Sequence, residues 1–104
     1  MEVIISDNNF EELVLKSELP VMLDFYTEWC GPCRAIAPFV DQMAKDHEGK
    51  AFIFKVDAEK CTTVAEKYGI ISVPTFLFFK GGELIDKQTG ISKPALIEKL
   101  NALL

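Results

Sequence analysis

Apolar positions along the chain follow two rhythms, and their alternation predicts the architecture. Val21-Met22-Leu23-Asp24-Phe25-Tyr26 is a nearly unbroken apolar run, the pattern of a strand buried on both faces. Ala51-Phe52-Ile53-Phe54-Lys55-Val56-Asp57 repeats it, and Thr75-Phe76-Leu77-Phe78-Phe79-Lys80 repeats it again. Helical spacing fills the intervals. Phe10, Leu13 and Val14 form one face behind the N-cap candidates Ser6 and Asp7. Ile36, Ala37, Val40, Met43 and Ala44 line a helix reaching about Lys45 or His47, with Pro38 inside it to remove one backbone bond and kink it. A short helix from about Cys61 to Tyr68 is stopped by Gly69. Glu2 to Ile5 reads as a short first strand. Gly81-Gly82 is a hairpin signal that returns Glu83 to Gln88 antiparallel to the strand before it. Ser92 caps a last helix, Pro94 fits its first turn, and Leu96, Ile97, Leu100, Leu103 and Leu104 form its expected buried stripe. The order β-α-β-α-β-α-β-β-α predicts one α/β domain over residues 1–104, a mixed sheet covered by helices on both faces.

Composition narrows the function. The 104 residues suffice for one core but not for a catalytic domain plus a cofactor domain. A net charge of −5 argues against nucleic acid or an anionic membrane as partner. The start lacks the basic region and long apolar stretch of a signal peptide, and no apolar run approaches a membrane span, so a cytoplasmic location is expected. Three cysteines are too few for a disulfide scaffold, which makes a close pair catalytic or metal-binding before it is structural.

That pair is Cys30 and Cys33 in Trp29-Cys30-Gly31-Pro32-Cys33, between the first long apolar run and the first long helix. Thiol–disulfide exchange needs an ionised attacking thiol, and a helix N-terminus supplies both the positive end of the dipole and unpaired N–H groups. Cys33, one turn on, is placed to attack a mixed disulfide, and Pro32 stiffens the pair. A structural staple is a poor use of so short a loop, worth only about 2 kcal/mol by chain entropy. A zinc site would have to recruit His47 and Cys61, which lack the spacing of a second ligand pair. Two ordinary buried thiols do not suit Trp-Cys-Gly-Pro-Cys. Redox chemistry is the reading these residues favour.

Two further oddities stand out. Asp24 is a carboxylate inside an apolar strand; burial there raises the pKa of such a group and suits it to proton transfer. Lys55 is the matching oddity on the neighbouring run and a candidate partner for it. Val73-Pro74 opens a strand, an ordinary place for proline.

Together these residues resemble the thioredoxin family over residues 2 to 104: the Trp29 to Cys33 motif preceded by Asp24-Phe25-Tyr26, then Pro38, Lys55, Asp57, Ser72-Val73-Pro74-Thr75-Phe76, Lys80-Gly81-Gly82 and Gly90. The resemblance implies a thioredoxin fold, a five-stranded mixed sheet flanked by four helices, with Pro74 cis and facing the cysteines. It implies Cys30 as nucleophile, Cys33 as resolving thiol, and Asp24 as buried acid/base linked to Lys55. Targets would dock on Trp29, Gly31, Pro32, Val73-Pro74, Gly90 and Ile91, with the Val73 backbone bonding the substrate chain. A monomeric protein-disulfide reductase follows, without a cofactor and recycled by a thioredoxin reductase using NADPH. Thioredoxins are the standing example of a first thiol brought from about 8.5 to about 7. Such a drop takes roughly 2 kcal/mol, and a dipole contributes about 0.3–1, so N–H···S bonds must supply the rest.

Some positions depart from the family pattern. Tyr26 and Thr27 stand where Trp and Ala are common. Glu59 replaces an Asp that in many members bonds the active-site Trp. Cys61 matches an extra cysteine of some animal members, but Tyr68 stands where its partner would be, so Cys61 is expected as a half-buried small residue at a helix start. A different class of function also fits: a binding subunit gripping partners through the apolar surface around Trp29, Pro74 and Ile91 without electron transfer.

Overall fold

The computed structural model describes residues 3–104. Its elements are β1 (Ile4–Ile5), a π-wound helical segment (Glu11–Leu15), β2 (Val21–Tyr26), α1 (Gly31–Asp46), β3 (Phe52–Asp57), α2 (Thr62–Lys67), β4 (Thr75–Lys80), β5 (Glu83–Thr89) and α3 (Lys93–Asn101). This is the expected order, although the expected strand start at Glu2 lies outside the described residues. The five strands form one sheet ordered β1-β3-β2-β4-β5. β1, β3 and β2 run parallel, while β4 pairs antiparallel with both β2 and β5.

β2 is central because its sequence permits nothing else: five of its six residues are buried, Val21 to Phe25. Strand alternation sends Val21, Leu23 and Phe25 to one face, where Phe10, Val14, Cys61 and Val64 cover them. Met22 goes to the other, under Ile36, Val40 and Met43 of α1 and Leu96 and Leu100 of α3. The result is three layers with a core on each side of the sheet.

Four expectations need correction. Neither Ser6 nor Asp7 caps the first helical segment. The Asn9 side chain accepts the Ser6 amide at 2.8 Å, and the Ser6 carbonyl accepts the Phe10 amide at 3.1 Å. Asp7 is thereby left facing another helix. Of the stripe expected at the C-terminus, Leu96 and Leu100 of α3 and Leu103 just beyond it are buried; Ile97 and Leu104 are exposed, since a stripe as narrow as one sheet face cannot take every apolar residue. β3 is not buried throughout: Phe52 is exposed because β1, two residues long, covers only Lys55 and Val56. Cys61 is fully buried rather than half-buried, packed into the core beside Phe10 and Val64.

Candidate redox site

Three segments far apart in sequence meet at one end of the sheet because of the register. Phe25, near the end of β2, pairs with Thr75 at the start of β4, and Thr75 pairs in turn with Thr89 at the end of β5. The loop after β2 carries Trp29 to Cys33, the loop before β4 carries Ile71 to Pro74, and the loop after β5 carries Gly90 and Ile91. All three therefore leave the same edge. A bond from the Gly90 amide to the Pro74 carbonyl, 2.9 Å, ties the second loop to the third. The Thr75 hydroxyl donates to the Ser72 carbonyl at 2.7 Å and closes the second loop on itself. The Val73–Pro74 peptide bond is cis.

Cys30 and Cys33 are joined as a disulfide with a Cα–Cα distance of 5.2 Å. Cys30 is the N-cap of α1, and its sulfur accepts the Cys33 backbone N–H at 3.1 Å. An N–H donor and the positive end of a helix dipole at one sulfur both favour negative charge there once the disulfide is reduced. Pro32 occupies the first turn, where the missing N–H is not needed. Arg34 reaches back to the Glu28 carbonyl at 2.7 Å and braces the loop between β2 and the motif. Trp29 projects with 84% of its surface exposed, while Cys30 and Cys33 are 8% and 6% exposed. Among the described residues, no group of His, Cys, Asp and Glu is arranged to hold a metal ion.

Asp24 is 3% exposed in the middle of the sheet, flanked in register by Lys55 on β3 and Phe76 on β4. It shares the Met22 face of β2, the side covered by α1, as Lys55 shares the Ile53 face of β3. Lys55 also forms an ion pair with Asp41 of α1, Nζ to Oδ1 3.5 Å, a contact that sequence reasoning did not foresee. Asp57, buried at the end of β3, accepts the Glu59 amide through its side chain at 2.9 Å and turns the chain toward α2.

Cys61 belongs to a separate cluster. Its thiol donates to Asp7 Oδ1 at 3.1 Å; burial first, and then this carboxylate, push it up to about 12. The thiol in turn is the main influence holding the Asp7 carboxyl below its ordinary value, with the Val64 and Thr63 amides adding to it against the cost of burial. Such a thiol is not a nucleophile at neutral pH. Ile71 was also missed as a candidate. It is 95% exposed, three residues before the cis-proline, and its signal was a large aliphatic residue in the loop that leads to Val73-Pro74.

The thioredoxin family model matches residues 2–102. The chain belongs to the thioredoxin family. It is 46% identical over 98 residues to the chloroplastic M-type thioredoxin of Pisum sativum, covering 93% of this chain and 57% of that protein. It is 44% identical over 98 residues to a thioredoxin of Rickettsia bellii, covering 93% of each chain. To a thioredoxin of Synechocystis sp. it is 44% identical over 101 residues, covering 96% of this chain and 94% of the relative. The family assignment and the bonded Cys30–Cys33 pair make this chain a thiol–disulfide oxidoreductase of the protein-disulfide reductase class, working through its own disulfide.

Proposed function

We propose that the chain is a general dithiol reductant of protein disulfides. In the reduced form the Cys30 thiolate attacks one sulfur of a target disulfide; that S–S bond breaks, a mixed disulfide forms, and the first target sulfur leaves and takes up a proton. Cys33 then gives its proton to Asp24 and attacks the Cys30 sulfur. The mixed disulfide breaks, the second target thiol is released, and Cys30–Cys33 closes. The second target sulfur takes up the proton held by Asp24, so two electrons pass to the target with one proton from Cys33 and one from solvent, where Cys30 left its own on ionising. The burial of Asp24 on the face beneath α1 supports its part as acid/base, with Lys55 as its charge partner.

Targets dock on Trp29, Gly31, Pro32, Val73, Pro74, Gly90 and Ile91, with Ile71 at the margin. The Val73 backbone bonds an extended substrate chain. The Gly90-to-Pro74 bond supports this by holding two of the three docking loops together. A thioredoxin reductase returns the electrons, and the chain acts as a monomer in the reducing cytoplasm.

The observation that carries the reading is the Cys33 N–H aimed at the Cys30 sulfur from the head of α1. Reduction of insulin disulfides with NADPH and a thioredoxin reductase tests it: turnover is expected and should vanish in Cys30→Ser. Absence of turnover in the native chain, or full turnover in the variant, would sink it. The exposed Trp29 also suits a binding subunit that transfers no electrons. Partners retained by Cys30→Ser/Cys33→Ser, with cellular function intact, would favour that role; partners trapped only as mixed disulfides by Cys33→Ser favour exchange.

A further inference from the structure

A groove of about 490 Å³ runs between the C-terminal half of α1 and β3, away from the disulfide. Val40, Asp41, Ala44, Ile53 and Lys55 are among its lining residues. Lys55 therefore has two neighbours of different kinds. By strand register it stands beside the 3%-exposed Asp24. By ion pair it reaches Asp41, whose side chain is 47% exposed at the rim, while its own is 18% exposed.

We propose that Asp41 is a positioning residue for the exchange reaction, holding the Lys55 ammonium toward the groove and so setting how strongly that cation acts on Asp24. The proposal rests on the reading of Asp24 as the proton acceptor for Cys33. A cation close to a carboxylate favours its ionised form, and a second carboxylate nearby opposes it. Asp41 acts in one direction by both routes: it draws the ammonium away from Asp24 and adds a like charge of its own. Each keeps Asp24 able to accept a proton.

Other charged groups share the groove. Lys45 and Glu48, from the end of α1 and just beyond it, line the same groove with opposite signs. β4 places Phe76 beside Asp24, and β1 places Ile4 beside Lys55, neither of them charged.

The test compares the native chain with Asp41→Asn, Asp41→Glu and Asp24→Asn in reduced form. Two quantities are followed against pH: the Asp24 carboxyl carbon by NMR, and the rate of insulin reduction. In Asp41→Asn the Asp24 midpoint should fall by roughly 0.5–1 pH unit, a fraction of the 1–3 units an adjacent charge is worth. The rate profile should move with it, and Asp41→Glu should restore both. A merely structural role for Asp41 would change the melting temperature without moving the Asp24 midpoint. An unmoved midpoint and rate profile in Asp41→Asn, beside an altered profile in Asp24→Asn, overturns the positioning role alone. An Asp24→Asn profile identical to the native one overturns the acid/base reading, and the positioning role with it.

Discussion

Asp7 sits at the head of α2, its Oδ1 3.1 Å from the amide nitrogen of Val64, fifty-seven residues further along the chain. Oδ2 accepts the Thr63 amide at 3.3 Å, so one carboxylate serves two of the free N–H groups of that helix. A cap supplied from so far away fastens the segment after β1 to α2, a job that a local N-cap would not do. Because the folded-state pKa of Asp7 is depressed, the stability it lends is present above the ordinary value of 3.8 and is lost as pH falls through the lowered value. Asp7→Ala should lower the thermal midpoint at pH 7 and narrow the gap to native as the pH drops below 3.8. Calorimetry from pH 7 to pH 2 checks it; a constant gap would mean the cap is not electrostatic.

Asp24→Asn should slow disulfide exchange near neutral pH and stabilise the fold. The amide removes a carboxylate that is 3% exposed, and Lys55 keeps Asp41 as an ion-pair partner, so no cation is stranded. The expected gain is on the order of 1–3 kcal/mol. Urea unfolding and insulin turnover together decide it. A variant that is less stable and fully active would contradict the acid/base role.

Cys61 should stay unlabelled by iodoacetamide in the folded, reduced protein at pH 7, while the Cys30–Cys33 pair reacts. Mass spectrometry would place label within the Cys30–Cys33 pair before unfolding and on Cys61 only after it. Its pKa is raised from 9.0 to about 12, so the unfolded chain ionises first. The stability due to the neutral thiol is full below pH 9 and is lost as pH rises from 9 toward 12. The native chain should therefore weaken over that range more steeply than Cys61→Ala. Parallel slopes would show that the thiol does not feel its burial.

Gly82 is at φ +81, and a Cβ there would lie 2.7 Å from the Leu15 carbonyl oxygen. Gly81 is at φ +61 with open space around the same position. Gly82→Ala should cost roughly 2–4 kcal/mol, the left-handed penalty plus an overpacking cost. Gly81→Ala should cost only about 1–2. Equal losses in denaturant unfolding would remove the close approach as the cause.

Ile71→Lys should raise KM for a protein disulfide by about tenfold, the burial value of one aliphatic side chain. The rate with a small aromatic disulfide should be unchanged, since such a substrate does not reach beyond the cis-proline. A fall in both rates would place the effect on the thiols instead.

The sheet was legible because buried strands and amphipathic helices carry different periods, and Val21–Tyr26 and Thr75–Lys80 are apolar runs whose one internal break is Asp24. The cysteine pair was legible for a related reason: its chemistry is local, set by a helix start four residues of loop away from β2. Asp24 and Lys55 could be suspected as charges in apolar runs, but only strand register placed them side by side. Asp41 left no mark, and Asp7 read only as a local N-cap. Each is an ordinary polar residue whose partner lies on another element, Lys55 for one and α2 for the other.

The sequence alone thus determined the element order, the two redox sulfurs and the buried acid, since periodicity, helix capping and desolvation all act over a few neighbouring residues. Tertiary structure decided which loops meet at the sheet's edge, that Val73–Pro74 is cis, that Cys61 is sealed by Asp7, and that Lys55 answers to a second carboxylate. Those outcomes depend on strand pairing and helix packing across long stretches of chain, and no local pattern encodes them.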